Sequence, residues 1–157
     1  MALVALGPDS VSFREYLSDS YDEYEGTISP DGRWMAYTSN EFGSQEVFVR
    51  DFPQPMGQWR LSDGGYDPVW APDGRALYYG GGTSLMKVDV TTEGTFSHGQ
   101  PTPLFEWQYD AAGLNNTGYA IHPDGDRFVA LGGAGVPVGD IYIVTNWFEE
   151  LKQLMGN

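Results

Sequence analysis

The tripeptide Pro-Asp-Gly occurs three times in this chain, at Pro30-Asp31-Gly32, Pro72-Asp73-Gly74 and Pro123-Asp124-Gly125. The prolines stand 42 and 51 residues apart (30 to 72, 72 to 123). Proline presets φ at the second position of a turn, aspartate tolerates the bridge region and glycine accepts positive φ. One such tripeptide is an ordinary turn. Three with matching flanks constrain the chain to a repeated unit.

The flanks do match. An apolar residue lies two positions before each proline: Ile28, Trp70 and Ile121. A polar residue or two follows each glycine, and then an apolar run: Trp34 to Tyr37, Leu77 to Tyr79, and Phe128 to Leu131. A third strand is expected at Val47 to Val49, Leu85 to Val90 and Ile141 to Val144, and a fourth at Trp59 to Ser62 and Pro103 to Phe105. Apolar strands on both sides of a tight turn read as a hairpin. Each unit therefore reads as a four-stranded antiparallel meander, and a propeller blade takes roughly 40–50 residues. The expected fold is all-β: a β-propeller segment of three four-stranded antiparallel blades with a short C-terminal helix.

The blades are expected over 19–62, 63–106 and 107–145, the third lacking its outer strand. A strand over 12–18 precedes them without a partner. It resembles the fourth strands, as Phe13 to Ser18 compares with Gln58 to Ser62. It would complete the last blade of a ring or a blade of another chain. Residues 146–155 read as an amphipathic helix, with Trp147, Phe148, Leu151, Leu154 and Met155 on one face and Asn146 as its cap. A lone sheet has two faces to cover, and stacking of neighbouring blades covers them.

Charge narrows the partners. The chain has 8 basic and 22 acidic residues, a formal net charge of −14. No Lys/Arg cluster supplies phosphate contacts, which argues against nucleic acid and against an anionic membrane surface. A basic partner or a cation remains compatible. There is no cysteine, so disulfides, thiolate metal sites and cysteine nucleophiles are excluded. No apolar stretch approaches the ~20 residues of a membrane span. Met1 to Leu6 lacks a basic leader and is too short for a signal peptide, so the chain reads as a mature or excised segment.

Residues Asp67-Pro-Val-Trp-Ala-Pro-Asp-Gly-Arg75 and Ile28-Ser-Pro-Asp-Gly-Arg33 resemble the TolB-type, WD-repeat-like propeller repeat of bacteria. The third unit departs from it, with His122 and Asp126 where that repeat has Ser and Arg. Nearly the whole chain is also similar to the C-terminal end of propeller sensor regions of bacterial serine/threonine protein kinases, down to the segment Asn146 to Lys152. No glycine-rich nucleotide loop or His-Arg-Asp catalytic loop is present, so kinase activity does not follow. The resemblance implies a propeller, commonly six-bladed. It favours a periplasmic or extracytoplasmic location. Three blades would then be half a ring, completed as a homodimer or within a larger protein.

Catalytic patterns are sparse. The two histidines, His98 and His122, have no serine and acid placed beside them by sequence, and neither Gly-x-Ser-x-Gly nor His-Glu-x-x-His occurs. Paired carboxylates suit a glycan-acting enzyme, but Asp31, Asp73 and Asp124 are explained by the turns. The acids Asp19, Asp22, Glu23 and Glu25 lack the spacing of a calcium loop. No metal and no cofactor is expected. The loops entering the first strand of each unit carry acids, amides and tyrosines, which suit a protein, peptide or other ligand. The candidate binding residues are Asp22, Glu25, Tyr66, Asp67, Asn116 and Tyr119. The reading is a non-catalytic binding module, with the propeller portion of a peptidase or glycan-acting enzyme as the alternative.

Overall fold

The computed structural model describes residues 1–18, 20–106 and 118–130. Every regular element among them is a strand. Strands β1 (Ala2–Leu6) and β2 (Val11–Glu15) form a hairpin. Strands β3 (Glu23–Ile28), β4 (Trp34–Ser39), β5 (Glu46–Asp51) and β6 (Gln58–Arg60) form a four-stranded sheet in sequence order. In the next sheet β7 (Tyr66–Trp70), β8 (Ala76–Gly81) and β9 (Ser84–Thr91) again lie in order. The far edge of β9 is shared by β10 (Ser97–His98) and β11 (Thr102–Glu106). Strands β12 (Tyr119–Ile121) and β13 (Phe128–Ala130) form a final hairpin. All pairings are antiparallel.

The three Pro-Asp-Gly turns have one geometry. Ser29 N donates to Trp34 O and Gly32 N to Ser29 O, at 2.8 and 2.9 Å. Ala71, Ala76 and Gly74 repeat this at 2.8 and 2.9 Å, and His122, Arg127 and Gly125 at 2.8 and 2.8 Å. Gly32, Gly74 and Gly125 take φ of 72, 70 and 81°, a region costly for residues with a Cβ. The strands before the turns end at Ile28, Trp70 and Ile121.

Each full sheet is buried on both faces, and the two-residue period of the strands divides its side chains. In β4, Trp34 and Ala36 face the second sheet, where they meet Trp70, Leu77, Tyr79, Val88 and Phe96. Met35 and Tyr37 face the other way, with Phe48, onto Tyr16, Leu17 and Leu3. In β8, Leu77 and Tyr79 face the first sheet, whereas Ala76 and Tyr78 face Tyr119, Ile121 and Phe128 of the last hairpin. At roughly 25 cal/mol per Å² of apolar surface removed from water, these three interfaces are the main drive for stacking.

Two details differ from the sequence reading. The strand expected over 12–18 is not unpaired: it runs as β2 over Val11–Glu15 beside β1, and the residues after β2 are buried, with Tyr16 and Leu17 6% and 3% exposed. The apolar run at Met1 to Leu6, for which no strand was expected, forms β1 through this pairing. His98 sits in β10 opposite Val90, although its Gly/Thr/Pro-rich surroundings read as a loop in the sequence. The expected strand at Ile141 to Val144 and the helix over 146–155 lie outside the described residues.

Candidate functional site

The first strand of each full sheet begins with a bulge. Pairing of β3 with β4 shifts register between Tyr24 and Thr27, and pairing of β7 with β8 shifts between Tyr66 and Val69. Within these bulges Glu25 and Asp67 take φ of 56 and 54°, uncommon for non-glycine residues and costing on the order of 1 kcal/mol or more unless the surroundings hold them. The two residues are 42 positions apart, the spacing of the first two prolines. A further 51 positions on, in the third unit, stands Gly118.

Hydrogen bonds join these three equivalent positions. Glu25 Oε2 accepts the backbone N–H of Asp67 at 2.8 Å, and the Thr38 hydroxyl donates to the same oxygen at 2.9 Å. Asp67 Oδ2 accepts the backbone N–H of Gly118 at 3.3 Å. The Tyr119 hydroxyl donates to Asp67 O at 2.8 Å. In each step the carboxylate of one unit receives the backbone N–H at the equivalent position of the next.

Asp67 is 2% exposed. Burial, then a hydrogen bond with the Glu25 carboxyl and the Glu25 charge, raise its pKa from 3.8 to about 7, against a smaller lowering by the Gly118 N–H. Two neighbouring carboxyls without a cation between them favour holding a proton. Burial, followed by the charges of Asp67 and Glu25, pushes the Tyr119 phenol well above its ordinary value.

Of the residues singled out by sequence, Glu25, Asp67 and Tyr119 are thus brought together. Asp22 stands apart: its N–H donates to Asn40 Oδ1 at 2.9 Å and its carboxylate accepts from Asn40 Nδ2 at 3.1 Å. The Tyr66 ring lies over Gly80, where an added Cβ would stand 2.5 Å from it. Asn116 lies outside the described residues. Thr38 and Gly118 were missed, and five residues before each proline was the signal that would have found Gly118. The described acids of the 19–25 run scatter to separate partners, with Glu23 meeting the Met1 amino group at 3.4 Å.

Exposed groups surround Glu25 and the buried Asp67. Tyr21 and Tyr24 are 44% and 37% exposed, and burial, then hydrogen bonding to Asp22, raises the Tyr24 phenol above its usual value. The opposite ends of the sheets carry the Pro-Asp-Gly turns. There a cavity of about 210 Å³ opens between the second and third turns, bordered by Asp73, Arg75, Lys87, Asp89 and Asp124. Nearby, His122 Nδ1 lies 2.6 Å from Asp124 Oδ1. His122, Asp124 and Asp126 cluster closely enough to meet around one ion, but all three are exposed and Arg127 pairs with both aspartates.

No family model matches the chain, and no curated protein matches its sequence. Among solved structures, the crystal structure of an oligogalacturonate lyase from Vibrio parahaemolyticus is similar with a TM-score of 0.48 and 16% sequence identity, over 69% of this chain and 30% of that one. The chain spans under a third of that protein's length, and a likeness of this degree assigns no activity.

Proposed function

We propose that the chain is a β-propeller segment serving as a non-catalytic binding module for a protein or peptide, at the end of the sheets where the first strands begin. One observation carries this reading. The carboxylates best arranged for chemistry, Glu25 and Asp67, are engaged inside the fold with Thr38, Gly118 and each other. The exposed groups at that end are Tyr21, Tyr24 and Asp22, whose carboxylate also accepts from Asn40. Aromatic rings with a polar rim are favoured binding surfaces. A net charge of −14 favours a basic partner and speeds encounter with it.

The test uses an arginine-rich peptide titrated into the protein by calorimetry at low salt. Binding that weakens about tenfold or more in Tyr24→Ala/Asp22→Asn, and survives a charge-matched change at Glu93, supports the reading. Equal affinity for the two variants places the site elsewhere.

A hydrolase portion is the second reading, favoured by Asp67, whose pKa near 7 suits a general acid. It requires turnover of peptide or glycan substrates that Asp67→Asn abolishes while the protein stays folded.

A further inference from the structure

Asp-Gly occurs four times in the chain, at Asp31-Gly32, Asp63-Gly64, Asp73-Gly74 and Asp124-Gly125. This dipeptide has a reaction of its own. The glycine nitrogen, with no side chain beside it to hinder the approach, attacks Cγ of the aspartic acid before it. A C–N bond forms, the carboxyl hydroxyl leaves as water with the amide proton, and a succinimide ring remains. Water then opens the ring. Attack at the former side-chain carbonyl restores aspartate, and attack at the main-chain carbonyl leaves isoaspartate. The water lost in closing the ring is regained in opening it, and the step requires no other reactant.

Three of the four pairs are locked against it. The attacking nitrogen must be free to turn toward Cγ, but the N–H groups of Gly32, Gly74 and Gly125 are fixed on Ser29 O, Ala71 O and His122 O at 2.9, 2.9 and 2.8 Å. The carboxyl must be free to turn toward the nitrogen, but Asp31, Asp73 and Asp124 each hold the backbone N–H two residues on, from Arg33, Arg75 and Asp126 at 3.1, 3.0 and 3.4 Å. Both bonds belong to the Pro-Asp-Gly turn, so the turn that repeats through the fold also protects its aspartates.

Asp63-Gly64 lies outside that pattern, in the link from β6 to β7. Among the described residues the Gly64 N–H has no hydrogen-bond partner and the Asp63 carboxylate accepts no backbone N–H. The Asp63 side chain is 99% exposed, with Arg60 Nη2 beside it at 2.9 Å. An exposed pair of this kind is worth little and leaves Cγ open. We propose that Asp63 is a modification site: it converts to isoaspartate in the folded protein, and so becomes a substrate for an enzyme that methylates isoaspartyl carboxylates. The change falls between two tethers to the first sheet. Ser62 accepts the Val47 N–H on its hydroxyl at 2.7 Å, and the Gly65 N–H donates to Gln45 O at 2.9 Å. Isoaspartate routes the main chain through Cβ and lengthens it between those two points, just ahead of Asp67 and its bond to Glu25.

The test ages the folded protein at neutral pH and physiological temperature, with a parallel sample in denaturant. Peptides are mapped by electron-transfer mass spectrometry, which tells isoaspartate from aspartate. In the folded protein, isoaspartate should form at Asp63 about tenfold or more faster than at Asp31, Asp73 and Asp124, where two hydrogen bonds must break first. The preference should vanish in denaturant. Isoaspartate methyltransferase with labelled S-adenosylmethionine should label the aged protein, and the label should be lost in aged Asp63→Glu, whose longer side chain closes no succinimide ring. Conversion of any of the other three aspartates as fast as Asp63 in the folded protein overturns the proposal. So does a preference for Asp63 that persists in denaturant, or an unmodified Asp63 in the folded protein after the denatured chain has reacted.

Discussion

Glu25 and Asp67 hold the same place in consecutive units, and the carboxylate of the first accepts the backbone N–H of the second at 2.8 Å. The same relation carries on from Asp67 to Gly118. A side chain that bonds the neighbouring unit's backbone at the equivalent position makes the start of each unit dependent on the one before it. The acids that invite a catalytic reading are in this way joints of the stack.

Protonation of that joint sets a pH dependence. Asp67 is raised from 3.8 to about 7 in the fold, so between roughly pH 4 and 7 the folded chain binds more protons than the unfolded one, and stability falls as pH rises through that window. Glu25 and Tyr119 are the titratable groups facing Asp67 from the adjoining strands, with Tyr24 beside Glu25. Asp67→Asn keeps an acceptor for Gly118 and supplies a donor to Glu25 without a titrating proton. Its melting temperature should fall less than that of the wild type between pH 5 and 8. An equal fall in both proteins contradicts the shared proton.

Phe96 is the centre of an aromatic cluster, with ring centroids 5.2, 5.3 and 6.5 Å from Trp34, Trp59 and Trp70. It is 2% exposed. Phe96→Ala should destabilise by about 3–5 kcal/mol through lost burial and the cavity left behind. Denaturant unfolding measures this, and tryptophan emission should shift to the red in the folded variant.

Glu46 is 2% exposed and depends on Arg60. One guanidinium nitrogen donates to Glu46 Oε1 at 2.7 Å. Nε lies against Oε2 while its N–H is directed to Ser62 O, so charge rather than a hydrogen bond holds Oε2. Arg60→Ala strands the carboxylate, and because the arginine is 42% exposed the loss should be about 2–3 kcal/mol, below the ~3–5 kcal/mol of a fully buried pair. Adding Glu46→Gln should recover much of it in the same unfolding assay.

Gly32 has φ of 72° with open space where a Cβ would stand. Gly32→Ala should therefore cost backbone strain alone, about 1–2 kcal/mol. Gly32→Asn should cost less, because asparagine tolerates the left-handed region. Equal losses in thermal unfolding would contradict this account of the turn.

The turns and strand ends were legible because their causes are local. Proline, aspartate and glycine each act within the turn, and Ile28, Trp70 and Ile121 end their strands in step with it. Burial of both sheet faces was legible in unbroken runs such as Trp34 to Tyr37. The hairpin over β1 and β2 was not, because its stability comes from Tyr16 and Leu17 packing on Met35, Tyr37 and Phe48, contacts without a sequence period. The role of Glu25 was hidden for a different reason. Glutamate is not a residue that signals positive φ, and only its alignment with Asp67 and Gly118 marks the bulge. Asp22 and Tyr66 were chosen for chemical type, and tertiary contacts with Asn40 and Gly80 gave them separate tasks.

The Glu25 and Asp67 carboxylates join one unit to the next, and the Asp67 amide reports on this most directly. Hydrogen exchange followed by NMR should find that amide strongly protected in the wild type, unprotected in Glu25→Ala and again protected in Glu25→Gln, whose side-chain oxygen still accepts the bond. Rapid exchange of the Asp67 amide in the wild type, or protection unchanged in Glu25→Ala, would contradict it.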